Sequence, residues 1–170
     1  VPKPASSLFS DLDTLVDSHQ PDLLLISVVE DTFRLARRML KHLEPRAIPS
    51  LMGGVFPTAA PEKALSLSCV DAICVGEGET VTKAVIDRFK TGRRDFNGIP
   101  RVWTRDLLGK VCPPAAFESD ALEDINRITP NFRLFDANRF NRPMGGRVFR
   151  TLPLETFRGC PFKCSFCNSP

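Results

Sequence analysis

The sequence predicts an α/β fold, a doubly wound parallel sheet, and three observations predict it. Segments of helical period alternate with short apolar runs of strand length from Leu8 to Lys90. The runs are continuous rather than alternating, the pattern of strands buried on both faces. Each run also ends in small residues, Ser27, Gly53-Gly54 or Gly76, where a chain turns from strand to helix.

The elements follow in order. From Leu8 to Ser18, Leu8, Leu12, Leu15 and Val16 recur at helical spacing, and Pro21 comes shortly after. Leu23 to Ser27 reads as the first strand. Asp31 to Leu43 returns to the helical period, with Phe33, Leu35, Ala36, Met39, Leu40 and Leu43 on one side and Arg34, Arg37, Arg38 and Lys41 on the other. Those cations read as a solvated face near a helix C-terminus, not as a binding patch. Ala47 to Met52 reads as the second strand, Pro61 to Leu67 as a short helix that its proline can begin, and Asp71 to Val75 as the third strand. Val81, Ala84, Val85 and Phe89 then mark a helix that closes near Gly92. Right-handed crossovers join such units into a Rossmann-like, flavodoxin-type sheet. Because the chain opens on a helix, at least one strand is expected upstream of Val1.

Beyond Gly98, Arg101 to Thr104 and Lys110 to Cys112 flank a polar turn, a predicted hairpin. Pro113 to Pro143 reads as a surface linker, and Val148 to Leu152 and Leu154 to Phe157 as strand-like. The expected organisation is a sheet domain over 1–98, a hairpin and linker over 99–147, and a further element over 148–170.

The chain has 170 residues, 42% of them hydrophobic, enough for one core and an appendage. Lysine plus arginine number 23 against 20 aspartates plus glutamates, interspersed, which argues against a nucleic-acid partner. The longest apolar run, Leu23 to Val29, is far short of a membrane span. The start at Val1-Pro2-Lys3-Pro4, with no methionine and no signal-peptide core, reads as that of a fragment.

Three of the six cysteines stand at Cys160, Cys164 and Cys167, too close together for ordinary bridging. The spacing CxxxCxxC on one tight loop suits three thiolates on an iron-sulfur cubane whose fourth iron stays open. A zinc site would need a fourth ligand, and no second pair follows. Cys69, Cys74 and Cys112 stand singly near apolar stretches and read as inert thiols.

Gly159 followed by CxxxCxxC, with Phe166 just before the last cysteine and a strand in front, resembles the radical S-adenosylmethionine (radical SAM) enzymes. In that family the open iron of a 4Fe-4S cluster binds S-adenosylmethionine, which one electron cleaves to a 5′-deoxyadenosyl radical. The resemblance implies that Cys160, Cys164 and Cys167 are the cluster ligands and that Phe166 packs near the adenine. It covers about a dozen residues and makes the segment the first strand and cluster loop of a truncated barrel, so the fragment alone is expected to be inactive.

In a sheet of this kind ligands bind beyond the carboxyl ends of the strands. The loops after the three strands carry Ser27-Val28, Gly53-Gly54 and Gly76-Glu77-Gly78-Glu79. That order, over about Leu8 to Lys90, resembles the cobalamin (B12)-binding domains that precede the barrel in many radical SAM enzymes, where such loops line the corrin and its nucleotide tail. Val55, Phe56, Pro57 and Thr58 extend the glycine loop as further candidate contacts. Asp17-Ser18-His19-Gln20-Pro21-Asp22 superficially resembles the DxHxxG motif that presents a histidine to cobalt. It lacks the glycine, and His19 belongs at the opposite rim. His42, late in a helix, reads as a surface residue.

The expected function is therefore a cobalamin-dependent radical SAM enzyme that transfers a methyl group or rearranges a small molecule. The implied partners are a small-molecule substrate and an electron donor such as flavodoxin or ferredoxin, and the implied setting is cytoplasmic. Two alternatives stay open: a radical SAM enzyme whose Rossmann-like domain binds no cobalamin, and a non-enzymatic α/β binding module with a zinc-stabilised tail. Phe56 standing above Gly53 and Gly54 would favour the first.

Overall fold

The computed structural model describes residues 5–114, 130–154, 158, 160, 162 and 164–167. The chain divides into two compact units, Val1–Ser119 and Asp120–Pro170.

The first unit is a five-stranded sheet in the order β1-β2-β3-β4-β5. β1 (Leu24–Ser27), β2 (Ser50–Gly53) and β3 (Ala72–Cys74) run parallel, with Ser27 opposite Gly53. All three strands therefore end on one rim. β4 (Val102–Arg105) turns the sheet antiparallel by pairing Cys74 with Val102, and β5 (Val111–Cys112) continues it. The predicted hairpin is thus part of the sheet.

Among the described residues α1 (Ala5–His19) precedes the sheet, and four helices connect its strands: α2 (Glu30–Leu43), α3 (Val55–Ala59), α4 (Pro61–Leu65) and α5 (Glu79–Lys90). A short 3-10 turn, Glu44–Arg46, follows α2 around Pro45. One apolar cluster joins Ala36 and Leu40 of α2 and Ala64 and Leu65 of α4 to Met52 and Ile73 on one sheet face. A second joins Val81 and Val85 of α5 to Leu51, Ala72 and Cys74 on the other, with Phe96, Ile99 and Val102. Met52, Leu65, Ile73 and Val85 are wholly buried, and each contributes about 1.5–3 kcal/mol. Leu35, expected on the apolar side of α2, is exposed, because the stripe that meets the sheet is the narrower one through Ala36, Leu40 and Leu43.

α1 packs beside α2. Asp13 and Asp17 pair with Arg46, and Asp13 also meets His42 at 2.9 Å. These pairs are half-exposed and set the docking of α1 more than the stability of the unit. Arg105 ties β4 to the turn after α4. Its guanidinium donates to the carbonyls of Leu65, Leu67 and Val70, and Leu65 closes α4, where carbonyls run out of helical partners.

In the second unit the stretch read as a linker holds two 3-10 turns, Phe132–Leu134 and Ala137–Phe140. A hairpin of β6 (Asn141–Met144) and β7 (Arg147–Arg150) follows. Gly145 and Gly146 join them with φ of 56° and 74°, the left-handed pair a two-residue hairpin turn requires. The predicted strand over Leu154 to Phe157 lies mostly outside the described residues. No helix among the described residues is long and apolar enough to cross a membrane.

Candidate functional site

At the carboxyl ends of the parallel strands lies a pocket of ≈ 620 Å³. Its rim is built by Ser27, Gly53, Gly54, Gly76, Glu77, Gly78 and Glu79, so the three loops singled out in the sequence meet around one opening. Its inner wall is Leu25, Ile26, Leu51, Cys74 and Thr82, which sequence reasoning missed. Leu25 and Leu51 lie two residues before Ser27 and Gly53, so the period of a strand puts each pair on one face and could have found them. Leu25 is 51% exposed, and the pocket runs down this face from the rim.

The glycines are there for steric reasons. Gly54 has φ of 102°, and a Cβ on it would lie 2.6 Å from the Val28 carbonyl oxygen and 3.0 Å from the Ser27 hydroxyl. Gly53 differs, since a Cβ there would make only ordinary contacts with Cys74, its Cβ at 3.7 Å and its carbonyl oxygen at 4.0 Å. Gly76 has φ of 82°, and a Cβ on it would strike the guanidinium of Arg101. Arg101 is itself buried and left-handed at φ 65°, and its Nε donates to the Val75 carbonyl at 3.2 Å. A non-glycine residue in that region stores strain, and here it braces the loop after β3.

Three other predicted contacts have different surroundings. Val28 is buried; its amide donates to Gly53 at 2.9 Å, and its carbonyl accepts from Phe56 at 3.2 Å. Val55 is exposed and Phe56 packs on Phe33, with ring centroids 4.1 Å apart. None of the three lines the pocket: Val28 is turned into the core, and the short helix α3 carries Val55 and Phe56 away from the opening. Thr58 is also absent from the pocket wall, but its hydroxyl accepts from the Gly76 amide at 2.9 Å and donates to the Gly54 carbonyl at 2.9 Å.

Electrostatically the rim is acidic, with Glu77 and Glu79 beside the opening. Burial pushes the Cys74 thiol up to about 11; Arg101 opposes this, while Glu79 and Glu77 reinforce it. Cys74 is thus a neutral wall residue at ordinary pH. Neither histidine reaches the rim: His19 closes α1 against the Leu15 carbonyl, and His42 meets Asp13.

In the second unit Cys160, Cys164 and Cys167 are exposed, and none of the six cysteines is in a disulfide. The Cys167 amide donates to the Cys164 carbonyl at 3.1 Å, closing a turn at whose apex Phe166 is 89% exposed. Among the described residues no three histidine, cysteine, aspartate or glutamate side chains converge as a metal site. The donor set nonetheless suits a cluster ligated from one loop, with accessible thiols of the right number and spacing.

A second pocket, of ≈ 290 Å³, opens at the amino ends of the strands between Leu40, Leu43, Ser50, Cys69 and Phe96. Its polar groups serve one another: Asp71 accepts from the Ser50 amide at 2.8 Å and hydroxyl at 2.9 Å, and Glu44 accepts from Ser68.

Residues 3–86 match the B12 binding domain family. The chain is 29% identical over 169 residues to an uncharacterized methyltransferase, PH0819, of Pyrococcus horikoshii, covering 95% of this chain and 34% of that protein. It is 31% identical over 156 residues to the anaerobic magnesium-protoporphyrin IX monomethyl ester cyclase of Rubrivivax gelatinosus, covering 88% of this chain and 27% of that protein. Among solved structures it resembles the cobalamin-dependent S-adenosylmethionine radical enzyme OxsB with aqua-cobalamin and S-adenosylmethionine bound. The TM-score is 0.51 at 26% identity, over 62% of this chain and 15% of that one. The chain spans about a third or less of the length of these relatives.

Proposed function

We propose that this chain, whose residues 3–86 match the B12 binding domain family, is part of a radical SAM protein like its relatives, that its glycine rim binds cobalamin and that Cys160, Cys164 and Cys167 hold a 4Fe-4S cluster. The full-length protein then cleaves S-adenosylmethionine reductively and transfers a methyl group to a small molecule. The observation that carries the cobalamin half is the open floor above Gly53 and Gly54. Phe56, the side chain able to fill it, is packed on Phe33 instead. This favours a binding rim over a closed scaffold.

The residues divide the work by position. Gly53 and Gly54 let the backbone come close to a broad planar ligand, and Gly76 and Gly78 line the same opening. Glu77 and Glu79 offer carboxylate acceptors to amide donors on a ligand's edge. The slot past Leu25, Leu51 and Cys74 gives an elongated tail an apolar wall, and the neutral thiol of Cys74 adds no charge to it. With no histidine at the rim, the described residues present no imidazole to a metal above Gly53. When bound, cobalamin supplies a methyl carrier, and the cluster with S-adenosylmethionine supplies one-electron chemistry fed by a small electron-transfer protein.

The test is anaerobic reconstitution of the full-length protein, followed by assay of iron, acid-labile sulfide and corrin on the same sample. Iron and sulfide near about four per chain with retained corrin are expected. Iron and sulfide without corrin would leave a radical SAM protein with a cobalamin-free sheet domain. Zinc in place of iron would leave a binding module.

A further inference from the structure

The three rim loops belong to separate stretches of sequence, yet one hydrogen-bonded path runs through them. The Val28 amide donates to Gly53 at 2.9 Å and the Phe56 amide donates to Val28 at 3.2 Å, joining the first loop to the second. From the second to the third loop the bridge is the hydroxyl of Thr58. It accepts from the Gly76 amide at 2.9 Å and donates to the Gly54 carbonyl at 2.9 Å. A hydroxyl has one proton and can accept at the same time, so both bonds form together. Gly54 and Gly76 are left-handed, at φ of 102° and 82°, and the bridge joins the two glycines that aim the rim backbone.

We propose that Thr58 is a positioning residue that locks the Gly76–Glu79 loop to the Gly53–Gly54 loop, so that a ligand meets a rim already assembled. The inference rests on the cobalamin reading of the same pocket. Thr58 touches no ligand in this account, since it lies behind the pocket wall. Its contribution is preorganisation: without the bridge, binding must also order the third loop. The Gly76 amide is held by Thr58, and the Arg101 guanidinium occupies the side where a Cβ on Gly76 would stand.

The experiment titrates hydroxocobalamin into full-length protein carrying Thr58→Val, which keeps the shape and removes both bonds, and Thr58→Ser, which keeps the hydroxyl. Thr58→Ala replaces Thr58→Val if the latter does not fold. Affinity and the visible circular dichroism of bound corrin are read together with amide hydrogen exchange at Gly76 in the ligand-free protein. Thr58→Val is expected to weaken binding about tenfold or more and speed exchange at Gly76 by a similar factor, while Thr58→Ser stays within about threefold of the parent. Unchanged affinity and exchange in Thr58→Val would overturn the proposal. So would Thr58→Ser behaving like Thr58→Val, which would make the methyl group the important part. If the parent binds no corrin, the cobalamin reading fails, and Gly76 exchange alone decides whether Thr58 locks the loop.

Discussion

Phe56 stacks on Phe33 with ring centroids 4.1 Å apart and planes tilted by 30°, and so packs half-buried against the core between α2 and α3 rather than over the glycines it follows. The open floor at Gly53 and Gly54 depends on that packing. Were the ring turned outward, the segment would cap the strand ends and leave no room for a flat ligand.

The two neighbouring glycines should respond differently to a methyl group. Gly54→Ala forces a Cβ into the Val28 backbone at a left-handed φ, so it should lose about 2–4 kcal/mol in urea unfolding and all corrin binding. Gly53→Ala meets only an ordinary contact with Cys74. It should keep the parent's stability, yet bind corrin about tenfold more weakly because the methyl enters the pocket. Equal binding by Gly53→Ala would mean that the ligand does not approach this backbone.

Replacing Cys160, Cys164 or Cys167 by alanine should each abolish bound iron and sulfide after reconstitution. Replacing Cys69 or Cys112 should leave both unchanged, since neither belongs to the exposed turn. Inductively coupled plasma analysis with a sulfide assay reads the difference. Retention of a full cluster by any of the three variants would remove that residue from the ligand set.

Cys74 makes stability depend on alkaline pH. Burial raises its thiol to about 11 in the folded protein from 9.0. The folded state therefore holds a proton that the unfolded state gives up. The stabilisation is fully present below about pH 9 and is lost as pH rises through about 11, amounting to about 3 kcal/mol. Urea unfolding at pH 8 and pH 10.5 should show this loss in the parent and a smaller one in Cys74→Ala. Equal slopes would mean that the thiol is not desolvated.

Arg105 should matter for stability and not for the rim. Arg105→Met takes the guanidinium from the carbonyls of Leu65, Leu67 and Val70, of which Leu67 keeps the Val70 amide as a donor, and should cost about 2–4 kcal/mol. Arg105→Lys should recover little, because a single ammonium cannot span three acceptors. Corrin affinity of the folded fraction should match the parent.

Much of this was legible in the sequence, for definite reasons. α2 and α5 carry strong helical periods, and the strands end in residues that only a tight, close-packed rim needs, as Gly54 shows. α3 escapes the sequence because its five residues include Pro57, which hides a one-turn helix from any periodicity. The antiparallel pairing of Val102 with Cys74 was invisible, since nothing in Val102–Arg105 says which strand it joins. Adjacency to the rim glycines does not reveal that Val28 turns into the core or that Phe56 packs on the Phe33 ring. The brace of Arg101 depends on a left-handed backbone that no residue type announces outside glycine.

The most direct test of the account is the amount of corrin that full-length protein retains after incubation with hydroxocobalamin and gel filtration. About one corrin per chain, falling to none in Gly54→Ala, is the predicted result. A parent protein that emerges colourless in the corrin bands, while folded and loaded with its cluster, would contradict it.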